Sequence, residues 1–189
     1  MVEEAGEVRT NTELDAEAQA RRRLALAQIR QYPDPVLRME AREVDEFDDD
    51  LRRLVERMIG LMRDAQGVGL AGNQVGVLRR VFVFQTRDED TARVVVNPRI
   101  VTRSGEQTDD EGCLSMQGVL VPVERALDVT VEGKDARGED VRYELTEMAA
   151  RVVQHELDHL DGVLILDRTT PDARREALAT LRPRTTLTA

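Results

Sequence analysis

The amino-acid sequence predicts an α+β fold in which antiparallel strands pack around a central helix. Short β-branched segments cluster in the middle of the chain, with Gly, Asp or Pro between them, and segments with helical periodicity lie on either side. The strand segments do not alternate with helices, as they would in a parallel sheet built from βαβ units. With 189 residues, of which 41% are hydrophobic, the chain is long enough for one domain with a real core and too short for two comfortable ones.

Three helices are predicted from apolar stripes, with a capping residue or proline at the start and, for the first two, a glycine after the end. They cover residues 49–65, residues 146–161 and a segment that begins at Pro171. The strands are predicted from β-branched runs, and the Gly- and Asp-rich residues 133–140 are predicted as a hairpin turn. The predicted strands contain residues 81–84, 94–96, 120–121, 129–131 and 141–143.

The chain is predicted to have three parts. Residues 1–28 form a helical or partly disordered extension, either a surface arm or a helix that contacts a partner, because they combine high helix propensity with a weak apolar face. Residues 29–170 form the globular domain, and residues 171–189 form a C-terminal helix and tail.

Composition restricts the classes of function. The net charge of −10 disfavours direct binding of free nucleic acid, which uses Lys and Arg to neutralise phosphates. No apolar run is long enough to span a membrane, and the acidic N-terminus lacks the hydrophobic stretch of a secretory signal, so we expect no membrane association and a cytoplasmic location. One cysteine, Cys113, excludes an internal disulfide.

The only two histidines lie four residues apart on the predicted helix over 146–161. His155 and His159 therefore share one helix face, where two imidazoles can bind one metal ion with Glu156 beside them as an acid or base. A catalytic metal usually has three protein ligands and an open position for water. Periodicity alone leaves the third ligand open between the Cys113 thiolate and a downstream carboxylate, for which the candidates are Asp161, Asp167, Asp172 and Glu176.

A glycine-rich segment, Gly67 to Gly72, matches the G-x-G-x-x-G pattern of dinucleotide-binding proteins. That pattern must follow a strand and open a helix, whereas this segment follows a helix and leads into a strand, so a phosphate would meet no helix N-terminus. We reject a dinucleotide site. The segment is predicted to be a helix stop, a flexible loop, or a loop whose backbone comes close to a substrate.

Three segments together resemble the three motifs of peptide deformylases, in the order found in that family. They are GVGLAGNQ at residues 67–74, EGCLS at residues 111–115 and QHELDHL at residues 154–160. Each motif alone is a weak signal, but the three in order are highly specific. The resemblance covers roughly residues 29–167, and IRQYPDPVLR at residues 29–38 looks like the usual start of the family's domain.

The resemblance implies the site and the reaction. It identifies Cys113, His155 and His159 as the ligands of one divalent metal ion, commonly Fe²⁺, although Zn²⁺, Ni²⁺ or Co²⁺ would also suit the geometry. It makes Glu156 the general acid and base. It also implies an α+β fold for the catalytic domain and N-formylmethionyl nascent peptides as substrates, with transient ribosome association. The oxyanion would be stabilised by the side chain of Gln74 and the backbone N–H of Leu114.

Substrate-binding residues are predicted around the same motifs. The nascent chain is expected to run along the loop at Gly69 and past Gly112, while the methionine side chain enters an apolar pocket. That pocket would be lined by Val68, Met148 and Val152, the last two on a helix face that periodicity predicts to be buried. Three positions depart from the family's usual residues and bear on loop stiffness or peptide preference, namely Gly72, Asn73 and Gln117.

Other functions are compatible with parts of this pattern. A small metallopeptidase would use the two histidines and a downstream carboxylate. A cysteine-nucleophile hydrolase would pair Cys113 with His155 and work without metal. A non-catalytic metal-binding or ribosome-binding module would need neither Glu156 nor Gln74.

Overall fold

The structure is a computed structural model that describes residues 11–86 and 89–182, with side chains from residue 15 onward. The start of the predicted extension and the predicted C-terminal tail from residue 183 lie outside the described residues. Within the described residues, no helix is long and apolar enough to cross a membrane.

The predicted helices are present, but two of the predicted end signals do not act. Thr146 starts α3 without a capping hydrogen bond from its side chain, and the left-handed residue after α2 is Gln66 rather than Gly67. There are five α-helices and two 3₁₀ helices in the described part of the chain. The Asp48 carboxylate accepts a hydrogen bond from the Leu51 N–H at the start of α2, and Gly162 follows α3 in a left-handed conformation. The α-helices are α1 (Asn11–Leu26), α2 (Asp49–Asp64), α3 (Glu147–Leu160), α4 (Ile165–Arg168) and α5 (Pro171–Leu181), and the 3₁₀ helices are Pro35–Arg38 and Gly72–Val75.

The strands form two antiparallel sheets. A five-stranded sheet has the order β1-β2-β3-β6-β7, and the hairpin β4–β5 forms a separate two-stranded sheet. The turn predicted over residues 133–140 joins β6 to β7. The strands are β1 (Gly69–Ala71), β2 (Val81–Phe84), β3 (Arg93–Ser104), β4 (Gln107–Cys113), β5 (Met116–Arg125), β6 (Asp128–Lys134) and β7 (Asp140–Thr146).

Both faces of the five-stranded sheet are covered. In β2, Val81 and Val83 point to one face and pack against α2, while Phe82 and Phe84 point to the other face and pack in the cluster that contains α3. Successive strand residues alternate in direction, so a strand buried on both faces is hydrophobic throughout, as β2 is. The hairpin β4–β5 packs against α4 and α5 in a third cluster. Helix α3 thus lies between the two sheets, which confirms the predicted α+β fold around a central helix.

One prediction about α3 is wrong. Periodicity placed Met148 on the buried face of the helix, but its side chain is 58% exposed. Met148 lies in the first turn of α3, which the sheet does not cover, whereas Val152 one turn later is buried.

Candidate active site

The second and third motifs meet where the end of β4 faces α3. Cys113, His155 and His159 have ligand atoms that all lie within 4.8 Å of one another, and the Cys113 Sγ is 3.3 Å from the His159 Nε2. One thiolate and two imidazoles are donors that divalent transition metals accept, and three protein ligands are the usual number in a catalytic site. The residues present therefore fit a metal ion.

The proposed downstream carboxylate ligands do not approach this group. Asp161 pairs with Arg80, Asp167 with Arg38, and Asp172 with Arg175. Among the described residues, the only group of three or more potential ligands close enough to hold a metal contains Cys113. The geometry thus favours the thiolate as third ligand.

His155 is oriented by a buried carboxylate. Its Nδ1 donates to the Oε2 of Glu111 at 2.9 Å, which leaves Nε2 available as the ligand atom. Glu111 also accepts from Arg125 at 2.9 and 3.0 Å and from Arg151 at 2.7 Å. Burial raises the pKa of the Glu111 carboxyl, but the hydrogen bonds from Arg125 and His155 outweigh burial and hold the pKa well below its ordinary value. Glu111 is therefore an anion that fixes the imidazole.

This ionic network extends away from the metal ligands. Arg125 donates to Asp158 at 2.5 Å, and Arg168 of α4 donates to the same carboxylate at 2.6 and 3.0 Å. The sequence motifs included Glu111 and Asp158 but gave neither a role, and Arg125 lies outside them. The one available signal was that a histidine on a buried helix face needs a hydrogen-bond partner.

Glu156 is buried against the glycine-rich segment. A Cβ added to Gly69 would lie 2.8 Å from the carboxyl carbon of Glu156 and 2.9 Å from its Cγ, so only glycine allows this approach. The Oε2 of Glu156 has no hydrogen-bond partner among the described residues. Burial raises the pKa of Glu156 to about 7. A carboxyl with that pKa can both accept and release a proton near neutral pH.

Gln74 points its amide nitrogen at the thiol. Its Oε1 accepts from the Ala71 N–H at 2.9 Å, and its Nε2 donates to the Ser115 Oγ at 3.1 Å and lies 3.6 Å from the Cys113 Sγ. These contacts fix the orientation of the amide. Ser115, which belongs to the second motif but had no predicted role, is fully buried and completes this arrangement.

A cleft of about 500 Å³ leads to this group. It is lined by every residue predicted to be catalytic, to ligate the metal or to bind substrate, except His159, which is buried behind the cleft. Val152 lies in its wall and Met148 on its exposed rim. The lining includes Val68, Gly69, Gln74, Gly112, Cys113, Leu114, Met148, Val152, His155 and Glu156.

The three departures from the usual family residues have local explanations. A Cβ on Gly72 would lie 2.6 Å from the Arg79 carbonyl oxygen, so the backbone here approaches too closely for alanine without a shift. Asn73 is fully buried and donates to the Met39 carbonyl. Gln117 donates at 3.1 Å to Gln31, whose amide in turn donates to the Leu114 carbonyl oxygen at 3.0 Å.

The glycine-rich segment does not open an α-helix. It contains β1 and leads into the four-residue 3₁₀ helix Gly72–Val75, which agrees with the rejection of a dinucleotide site. Its backbone instead approaches Glu156, as the close contact at Gly69 shows.

Comparison with known proteins gives one consistent result. The family model described as "Polypeptide deformylase" matches residues 26–175. A peptide deformylase of Thermodesulfovibrio yellowstonii is 41% identical over 151 residues, which cover 78% of this chain and 92% of that protein. One from Acidothermus cellulolyticus is 43% identical over 159 residues, which cover 84% of this chain and 87% of that protein.

Solved structures agree with the sequence comparisons. A crystal structure of a peptide deformylase from Legionella pneumophila superposes with a TM-score of 0.78 at 40% identity, covering 81% of this chain and 91% of that chain. Peptide deformylase 1B of Arabidopsis thaliana, in complex with an inhibitor, gives a TM-score of 0.77 at 39% identity, covering 82% of this chain and 89% of that chain. With a family model that spans most of its length and relatives above 40% identity, this chain belongs to the polypeptide deformylase family, metal-dependent hydrolases that remove the N-formyl group from the N-terminal methionine of nascent polypeptides.

Proposed function

We propose that Cys113, His155 and His159 hold one divalent metal ion, and that Glu156, Gln74 and the Leu114 N–H carry the deformylase reaction around it. The observation that supports this proposal most directly is that Glu156 lies buried beside three mutually close ligand residues, with its pKa raised to about 7. Ferrous iron is the metal we propose, because it suits a site of one thiolate and two imidazoles, and Zn²⁺, Ni²⁺ and Co²⁺ are the alternatives.

The metal, when bound, lowers the pKa of water coordinated to it, which makes hydroxide available near neutral pH. Glu156 accepts the proton from the attacking water. It later donates that proton to the leaving amine nitrogen, so the same carboxyl acts first as base and then as acid. Formate and a peptide with a free N-terminus are the products.

Charge that develops on the formyl oxygen needs hydrogen-bond donors fixed in advance. Gln74 is suited to donate because Ala71 and Ser115 hold its amide in one orientation. The Leu114 N–H is the second proposed donor, on a backbone segment whose carbonyl is held by Gln31. Loss of one such donor typically costs about 100- to 1,000-fold in rate.

The remaining cleft residues are proposed to bind the peptide. Val68, Met148 and Val152 would contact the methionine side chain, and the backbone at Gly69 and Gly112 would run beside the peptide. We also propose a cytoplasmic location and transient ribosome association, because the substrate is a nascent chain. Direct binding of free nucleic acid is not part of the proposal, given the net charge of −10.

The test measures formate released from formyl-Met-Ala-Ser by protein purified anaerobically with Fe²⁺. Glu156→Ala should bind metal but lose activity, and Cys113→Ser should lose metal. The matched control is Glu56→Ala, which removes an exposed carboxylate on α2 and should behave as wild type. Metal-free activity, or full activity of Glu156→Ala with metal bound, would overturn the proposed roles.

A further inference from the structure

One wall of the active-site cleft comes from the N-terminal helix. Arg22 and Leu26 of α1 line the same cleft as Cys113 and Glu156. The end of α1 is fixed in place, because Ala25 and Leu26 are buried in the cluster that contains the apolar face of α2. Arg22 is one helical turn before Leu26, so it shares the face of α1 that meets the cleft.

The Arg22 guanidinium carries an uncompensated charge. Its side chain is exposed, and no carboxylate in the described part of the chain pairs with it. Its neighbour Arg21 differs, since it pairs with Glu17 at 3.9 Å and does not line the cleft. Asp110 lines the cleft but forms no ion pair with Arg22.

Arg22 is also the accessible arginine of this cleft. The other arginine in its lining, Arg151, is 4% exposed and donates to Glu111 and to the Val123 carbonyl. Of the arginines and lysines that line the cleft in the described ranges, Arg22 alone is free to meet a ligand.

The position of Arg22 indicates which part of a substrate it would meet. The formyl group must reach Cys113 and the histidines at the inner end of the cleft, where His159 is almost completely buried. The rest of the peptide must then leave through the open side, past exposed Leu120 and Met148 and the end of α1. A residue downstream of the formylmethionine would therefore pass Arg22.

We propose that Arg22 is a specificity-determining residue that binds a carboxylate of the substrate downstream of the formylmethionine. The inference rests on the proposed function of the cleft. Arg22 precedes residues 26–175, so this preference would arise outside the part of the chain that the family model matches. The carboxylate can be an acidic side chain or the free C-terminus of a short peptide.

The experiment compares kcat/KM for formyl-Met-Ala-Glu-amide and formyl-Met-Ala-Gln-amide, with Glu also placed at the second and fourth positions. Wild type should prefer Glu at one position by about 1.5- to 5-fold, which corresponds to the ~0.2–1 kcal/mol of an exposed ion pair, and the difference should lie in KM. Arg22→Gln should remove the preference and Arg22→Glu should reverse it. Arg21→Gln, the matched control, should keep it.

Two further measurements are needed. One distinguishes an acidic side chain from a free C-terminus as the bound carboxylate, and the other distinguishes a loss of recognition from a loss of turnover. A comparison of kcat/KM for formyl-Met-Ala-Ser as the free acid and as the amide tests whether the C-terminal carboxylate is bound. Any preference for a carboxylate should weaken with added salt, because salt screens an exposed ion pair. Binding of the Glu and Gln peptides to Glu156→Ala protein, measured by calorimetry, reports recognition without turnover. The inference would be overturned if kcat/KM and the binding constant were equal for the Glu and Gln peptides at every position and for the acid and the amide. It would also be overturned if a preference survived Arg22→Gln. Absence of any hydrolysis by metal-loaded wild type would instead overturn the proposed function.

Discussion

Gly69→Ala should inactivate the protein through Glu156. A Cβ at position 69 would lie 2.8 Å from the Glu156 carboxyl carbon, against about 3.5–4.0 Å for an ordinary contact between carbon atoms. The carboxyl must therefore retreat by roughly 0.7 Å or more. A misplacement of about 1 Å can cost about 100-fold in rate, and full loss of general acid–base catalysis costs about 100- to 10,000-fold. We expect kcat to fall by about 100-fold or more.

The assay is formate release under saturating formyl-Met-Ala-Ser, with metal content and melting temperature measured on the same samples. Metal content should match wild type, since the three atoms nearest the added methyl group all belong to Glu156 and not to a ligand. Gly60→Ala is the matched control, because a Cβ there has nothing within 4 Å, and it should leave kcat unchanged.

A double-mutant cycle tests whether the effect acts through the carboxyl group. In a Glu156→Ala background the methyl group meets no carboxyl, so adding Gly69→Ala should change the rate by no more than about 3-fold. The reasoning is refuted if the single variant stays within about 3-fold of wild type, or if Gly69→Ala costs as much with Glu156 absent as with it present.

Three other perturbations have defined outcomes. Glu111→Gln leaves the buried Arg151 without its buried counter-charge, so we expect a loss of about 3–5 kcal/mol in the free energy of unfolding and a melting temperature lower by about 6–20 °C, measured by thermal melts. The same change weakens the hydrogen bond that orients His155, so metal affinity should fall by about 10- to 100-fold in a metal titration. Gly72→Ala places a Cβ 2.6 Å from the Arg79 carbonyl oxygen, so urea unfolding should show a loss of about 1–3 kcal/mol. Burial lowers the pKa of His155, but its hydrogen bonds to the thiol and to Glu111 outweigh burial and hold the pKa well above its ordinary value. Without metal the imidazole therefore keeps its proton to a higher pH than an ordinary histidine does, so metal binding should release a proton and tighten as pH rises. Calorimetry in two buffers of different ionisation enthalpy checks this, and identical heats would contradict it.

The sequence predicted the elements whose signals are local. Helices α2 and α3 have apolar stripes and end signals, and β2 is a continuous hydrophobic run, so their positions followed from periodicity. Strand β4 was missed because its sequence, QTDDEGC, has no hydrophobic alternation, and Glu111 is its only buried residue. Strand β1 was missed because it has three residues and no β-branched side chain.

The site was predicted from motifs, whereas its supporting contacts depend on the fold. The motifs identified the residues that line the inner cleft, and the structure places them together. The buried ionic network could not be predicted, because Arg125 and Asp158 are residue types that are normally exposed, and their burial depends on how the hairpin packs against α3. The position of Arg22 beside the cleft could not be predicted either, since nothing in the sequence around it shows that α1 ends there.

The position of Cys113 has a consequence for how the fold responds to metal. Cys113 ends a strand of the separate two-stranded sheet, and His159, 46 positions later, lies on the helix that packs against the five-stranded sheet. An ion held by both would act as a cross-link that closes this long loop, and a ligand bound only by the folded state adds its binding free energy to stability. A partly loaded preparation would then contain two populations that unfold at different temperatures, and the hairpin amides would exchange with solvent faster in the metal-free one.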